Sequence, residues 1–90
     1  MVHVYVTRTC GYCRAAKRLL TERGVPFVEL DISDDHDARM ELVRKYHWRT
    51  VPVILAGEDP AQMDLIGGFT ELAAMDRQRG LDHLRPSQEK

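Results

Sequence analysis

No apolar run in this 90-residue sequence approaches the roughly 18 residues that a membrane-spanning helix needs. No secretory leader is expected, since nothing at the start of the sequence combines a charged end, a long apolar stretch and a small-residue cleavage site. Met1-Val2-His3-Val4-Tyr5-Val6-Thr7 reads instead as a strand, and the expected location is the cytoplasm. Charge of one sign does not dominate. Thirteen basic residues face fourteen acidic ones, and the basic stripe needed to track a phosphate backbone is not there. Neither nucleic acid nor a membrane is expected as a partner. Cysteine is scarce, with only Cys10 and Cys13. In a reducing compartment a structural bridge would not persist, and one closing so short a loop would constrain little of the unfolded chain. The pair therefore asks for a chemical explanation.

What is present is the composition of an ordinary folded domain, with 43% apolar and 30% charged residues. Val2, Val4 and Val6 alternate with His3, Tyr5 and Thr7, the pattern of a strand ending near Thr9-Cys10-Gly11. From about Tyr12 to Arg23 the period becomes helical, with Ala15, Ala16, Leu19 and Leu20 on one face. Gly24 stops that helix, and a second strand runs through Phe27-Val28-Glu29-Leu30. This is a β–α–β unit, whose strands should be parallel. Ser33 or Asp34 is placed to cap a second helix, on which Met40, Val43 and Tyr46 recur at helical spacing. Val51-Pro52-Val53-Ile54-Leu55-Ala56 is a third strand, Gly57-Glu58-Asp59-Pro60 a turn, and Met63 to Ile66 a short fourth strand. A last helix follows Gly67-Gly68, with Thr70 as N-cap, Phe69 stapled against Ala74 and Gly80 as its end. The expectation is an α/β chain with one domain over residues 1–85 and a frayed tail over 86–90.

A Cys-x-x-Cys that closes a strand and opens a helix inside a β–α–β unit is a redox motif. Cys10 falls just before the first turn, where unpaired backbone N–H groups and the positive end of the dipole favour a thiolate. Arg8, Arg14, Lys17 and Arg18 add positive charge nearby. Cys13 lies almost one turn on, closer to the sheet and less exposed. Cys10 is thus the sulfur that attacks a disulfide, and Cys13 the one that resolves the mixed disulfide. A tetrahedral zinc site would need two further ligands, and His3, His36, His47 and His83 are too scattered to supply them.

With these residues in view, the sequence resembles glutaredoxins over nearly its whole length. Thr9-Cys10-Gly11-Tyr12-Cys13 resembles the family's T-C-P-Y-C, Arg49-Thr50-Val51-Pro52 matches R-T-V-P, and Gly67-Gly68-Phe69-Thr70-Glu71-Leu72 resembles G-G-C-[SD]-D-L. The resemblance implies a thioredoxin-like fold, with a four-stranded mixed sheet in the order 2-1-3-4 flanked by three or more helices. It implies reduction of protein–glutathione mixed disulfides and protein disulfides with glutathione as co-substrate, at a potential of roughly −200 to −230 mV. It also implies a monomer and a set of glutathione contacts. The bond before Pro52 would be cis, presenting the Val51 backbone beside Cys10, with Thr50 preceding it. Gly68, Phe69, Thr70 and Glu71 would hold the γ-glutamyl end, Thr70 through its hydroxyl and Glu71 against the ammonium. Tyr12 would shield one side of the thiol, and Arg8 would meet the glycyl carboxylate.

Five features depart from the common family pattern. Gly11 replaces the usual proline, as it does in members that bridge two subunits through a [2Fe–2S] cluster with Cys10-type thiolates and glutathione as ligands. Thr7 stands where many glutaredoxins carry lysine, and Trp48 where a polar glutathione contact is common. The Gly57 to Asp64 connection is longer than usual, is expected to be exposed and could serve a partner protein. Phe69 after Gly68 resembles redoxins reduced by thioredoxin reductase, and Cys10-Gly11-Tyr12-Cys13 also resembles mycoredoxins, which use another low-molecular-weight thiol. The alternatives to a glutathione-dependent enzyme are therefore a cluster carrier and a redoxin with a different donor.

Overall fold

The computed structural model describes residues 1–59 and 61–81. Its elements run β1 (Val2–Val6), α1 (Gly11–Glu22), β2 (Val28–Asp31), α2 (His36–Tyr46), β3 (Val53–Ala56), β4 (Asp64–Gly67) and α3 (Phe69–Arg77). One sheet has the order β2-β1-β3-β4, with β1 and β2 parallel and the other pairs antiparallel. This is the mixed thioredoxin-like sheet expected. The expected tail at 86–90 lies outside the described residues.

Alternation along the strands divides the core between the two faces of the sheet. Val2, Val4, Val6 and Ile54 point to one side, where they pack with Ala16 and Leu20 of α1 and Leu72 of α3. Val53 and Leu55 point to the other, where they meet Leu42 of α2, with Tyr5, Tyr46 and Trp48 against them. Both clusters are needed to make a three-layer molecule from so short a chain.

Helix ends set where the site residues fall. Helix α1 is capped by Cys10, whose sulfur accepts the Cys13 N–H. It ends in a Schellman arrangement, with Gly24 at φ +72° and bonds from Gly24 N to Thr21 O and from Val25 N to Leu20 O.

Three local expectations need correction. Asp35 caps α2, accepting from Ala38 N–H, in place of Ser33 or Asp34. Ser33 is occupied in an Asp31 turn and Asp34 by Arg8. Gly68 is the N-cap of α3, so Thr70 lies inside the first turn and Phe69 is the first helical residue, turned toward Tyr12. At the other end of α3, Arg79 adopts the left-handed conformation, whereas Gly80 answers a close approach: a Cβ there would meet the Met75 side chain at 2.5 Å. The Gly57–Asp64 connection is exposed at Glu58, Asp59, Ala61, Gln62 and Asp64, as expected, and is anchored at one residue. Met63 is buried at 5% exposure and its carbonyl accepts from the Tyr46 hydroxyl.

Candidate active site

Strand β1 ends at Val6, and the chain turns through residues 7–10 into α1. That turn is tied to the loop after β2, because Arg8 N–H donates to Ser33 Oγ at 2.8 Å. Cys10 is therefore held at the C-terminal end of a central strand and the N-terminal end of a helix. Its Sγ lies 3.1 Å from Cys13 N and 3.6 Å from Val51 O. The backbone amide is the donor that a charged sulfur requires, and the Val51 carbonyl is an acceptor for the protonated one.

The two thiols differ sharply. Both are free, with Cys10 half-buried and Cys13 only 2% exposed among Val4, Val6 and Ala16. Burial, and then its hydrogen bond with Cys10, pushes the Cys13 thiol up to about 12. Of the two, Cys10 is the one that solvent reaches. Lys17 and Arg18 turn away from it, Lys17 to Glu29 at 2.7 Å and Arg18 to Glu22 at 3.5 Å.

Opposite Cys10, the Val51–Pro52 peptide is cis. Pro52 is buried and carries the chain into β3. Val51 also lines a groove of about 450 Å³ with Tyr12, Trp48, Thr50, Pro52, Gly68, Phe69, Thr70 and Glu71. The groove thus gathers every sequence-predicted contact except Arg8. At its α3 end, Glu71 Oε1 accepts from Gly68 N–H at 2.9 Å, the returning half of a capping box on a residue with no side chain to give the other half. Gly67 allows this turn. Its φ is +125°, and a Cβ there would lie 2.8 Å from Glu71 Cγ. Tyr12 is 67% exposed and stacks with Phe69, ring centroids 6.2 Å apart at 26°.

Arg8 is placed elsewhere. It lines a separate depression with Thr7, Thr9, Ser33 and Arg39, and its guanidinium grips Asp34 through two bonds of 2.9 and 3.2 Å. That fork holds the Asp34 carboxyl below the usual carboxylate range. The sequence reading missed Asp34, although its position just past β2, the parallel neighbour of β1, brings it level with Arg8. It also missed how Trp48 sits. The indole packs on the α2 side of the core and its Nε1 is buried with no hydrogen-bond partner among the described residues.

Among the described residues no three His, Cys, Asp or Glu side chains converge as a metal site, and no helix is long and apolar enough to cross a membrane. A four-ligand iron–sulfur centre does not fit a single chain whose one accessible thiol is Cys10.

Known proteins resemble this chain in sequence and fold. The glutaredoxin family model matches residues 2–60. Glutaredoxin 3 of Escherichia coli K12 is 39% identical over 83 residues, covering 92% of this chain and 94% of the relative. The solution structure of glutaredoxin from Brucella melitensis superimposes with a TM-score of 0.78 at 30% identity, covering 99% of this chain and 92% of that one. A buckwheat glutaredoxin–glutathione complex shares the fold, with a TM-score of 0.79, 23% identity and coverage of 92% and 74%. A capping, half-buried cysteine, a buried partner one turn on and a cis-proline facing them therefore occur here on a chain that belongs to the glutaredoxin family.

Proposed function

We propose that this thiol–disulfide oxidoreductase uses glutathione to reduce glutathionylated proteins and protein disulfides, in the cytoplasm. One observation carries the reading. Val51 joins the two halves of the site, its carbonyl 3.6 Å from Cys10 Sγ and its residue part of the groove that ends at Gly68 and Glu71. A γ-glutamyl tripeptide thiol has the shape this requires: a central sulfur, an extended backbone able to pair with a main chain, and an anionic end for the start of a helix. Support for glutathione also comes from the buckwheat relative, whose complex contains it.

The chemistry follows from the unequal sulfurs. The Cys10 thiolate attacks the glutathione sulfur of a protein–glutathione disulfide. A Cys10–glutathione disulfide forms, and the protein thiolate leaves and takes a proton from solvent. A second glutathione thiolate then attacks, releasing oxidised glutathione and restoring Cys10. On a protein disulfide, Cys10 forms the mixed disulfide and Cys13 displaces it, leaving a Cys10–Cys13 bridge that two glutathiones reduce. Cys13 must lose its proton in that step, against the burial that favours the protonated thiol. The glycyl carboxylate meets Arg8 only if it displaces Asp34.

Intact-mass measurement tests the assignment. Cys13→Ser protein mixed with oxidised glutathione should accumulate one glutathionyl adduct on Cys10, and Cys10→Ser protein should accumulate none. Equal labelling of the two variants would contradict the assigned roles.

A further inference from the structure

A second and larger groove, of about 720 Å³, starts beside the cysteine loop and runs away from it between α1 and α3. Ala15, Leu19 and Ala73 line it, and Arg14 and Arg77 stand over it. Phe69 lines both this groove and the one described above, so the Tyr12–Phe69 stack is the ridge between them. At the far end Glu22 is paired with Arg18, and Asp76 is held by Arg23 at 2.7 and 3.0 Å. Arg14 and Arg77 have no carboxylate partner among the described residues. The chain as a whole has a formal charge of −1, so these two cations are a local feature and not a consequence of a basic protein.

Exchange at sulfur proceeds with the attacking, central and leaving sulfurs nearly in line. If the glutathionyl half lies in the Val51 groove, as proposed above, the departing polypeptide lies beyond the glutathione sulfur, away from Cys10, and its flank reaches the α1–α3 groove across the Tyr12–Phe69 ridge. We propose that this groove docks an extended segment of the substrate protein carrying acidic side chains near its reactive cysteine. The spacing can be stated. Arg14 is four residues along α1 from Cys10, about 6 Å, and Arg77 eight along α3 from Phe69, about 12 Å. An extended chain advances about 3.3 Å per residue. These rises correspond to about two residues of extended chain from Cys10 and about four from Phe69, which puts the acidic side chains about two to four residues from the substrate cysteine. Acidic groups there gain attraction and steering, and lysines there are repelled. Bonds form and break as in the preceding section, since docking changes only which leaving group is favoured.

The test uses Cys13→Ser protein and two glutathionylated single-cysteine peptides, with Glu or with Lys at the second and fourth positions on both flanks. The total rate of adduct formation on Cys10 is followed by mass. The Glu peptide should react about tenfold faster at low salt, and the ratio should shrink as ionic strength rises. Arg77→Glu should bring the ratio down to about threefold or less by removing the attraction of Arg77, leaving the rate with a small non-peptide glutathione disulfide unchanged. Equal rates for the two peptides, or a ratio insensitive to Arg77→Glu, would overturn the docking surface. Which half remains on Cys10 is a separate readout. A peptide adduct in place of a glutathionyl one would sink the glutathione reading while the rate ratio still decides the groove. No adduct with either peptide would overturn both.

Discussion

Cys13 sits among Val4, Val6 and Ala16, and its proton is held until about pH 12. At pH 8 it stays protonated. Iodoacetamide at that pH should alkylate Cys10 and leave Cys13 intact, which peptide mapping by mass spectrometry checks; equal labelling would mean that the core is not closed over Cys13. The same burial has a stability consequence. Because the folded state raises the Cys13 thiol from the ordinary 9.0 to about 12, the folded protein retains a proton that the unfolded chain gives up. Its contribution is complete below pH 9 and is lost as pH rises toward 12. Urea midpoints measured between pH 8 and 10.5 should fall less steeply for Cys13→Ala than for the parent protein. The unequal burial of the two sulfurs was legible in the sequence, since a helix opening at Cys10 puts position 13 one turn inward. The partner of Arg8 was not, because it depends on two loops meeting across a parallel strand pair.

At the scale of elements, the β4–α3 turn is the most constrained piece of the site. Gly67 combines φ +125° with a position where a Cβ would lie 2.8 Å from Glu71 Cγ. Gly67→Ala should destabilise the fold by about 1–3 kcal/mol and weaken glutathione binding as Glu71 is displaced from Gly68 N–H; urea unfolding and turnover kinetics read the two effects. Leu20, fully buried on α1, anchors that helix to the sheet. Leu20→Ala should cost about 2–5 kcal/mol in urea unfolding while leaving the groove residues in place. The alternation of Val2, Val4 and Val6 and the stop at Gly24 made β1 and α1 plain from sequence. The caps of α2 and α3 were misplaced because several candidates stood in a row. Asp35 prevailed where Ser33 and Asp34 had found other partners, and Gly68 caps α3 with main chain alone.

Across the whole molecule, the sheet order brings residues distant in sequence to one end of the strands: the cysteine loop at 10–13, the cis-proline at 52 and the double glycine at 67–68. The resemblance carried by three short motifs was enough to anticipate this gathering. The α1–α3 groove was not legible, because it is made by two helix faces whose apposition depends on the whole sheet. Coupled turnover of a small glutathione mixed disulfide, with glutathione, glutathione reductase and NADPH, tests the central claim most directly. Turnover that persists in Cys13→Ser and vanishes in Cys10→Ser is the predicted result. A silent assay, with thioredoxin reductase reducing the Cys10–Cys13 bridge directly, would contradict the glutathione groove at Val51, Thr70 and Glu71.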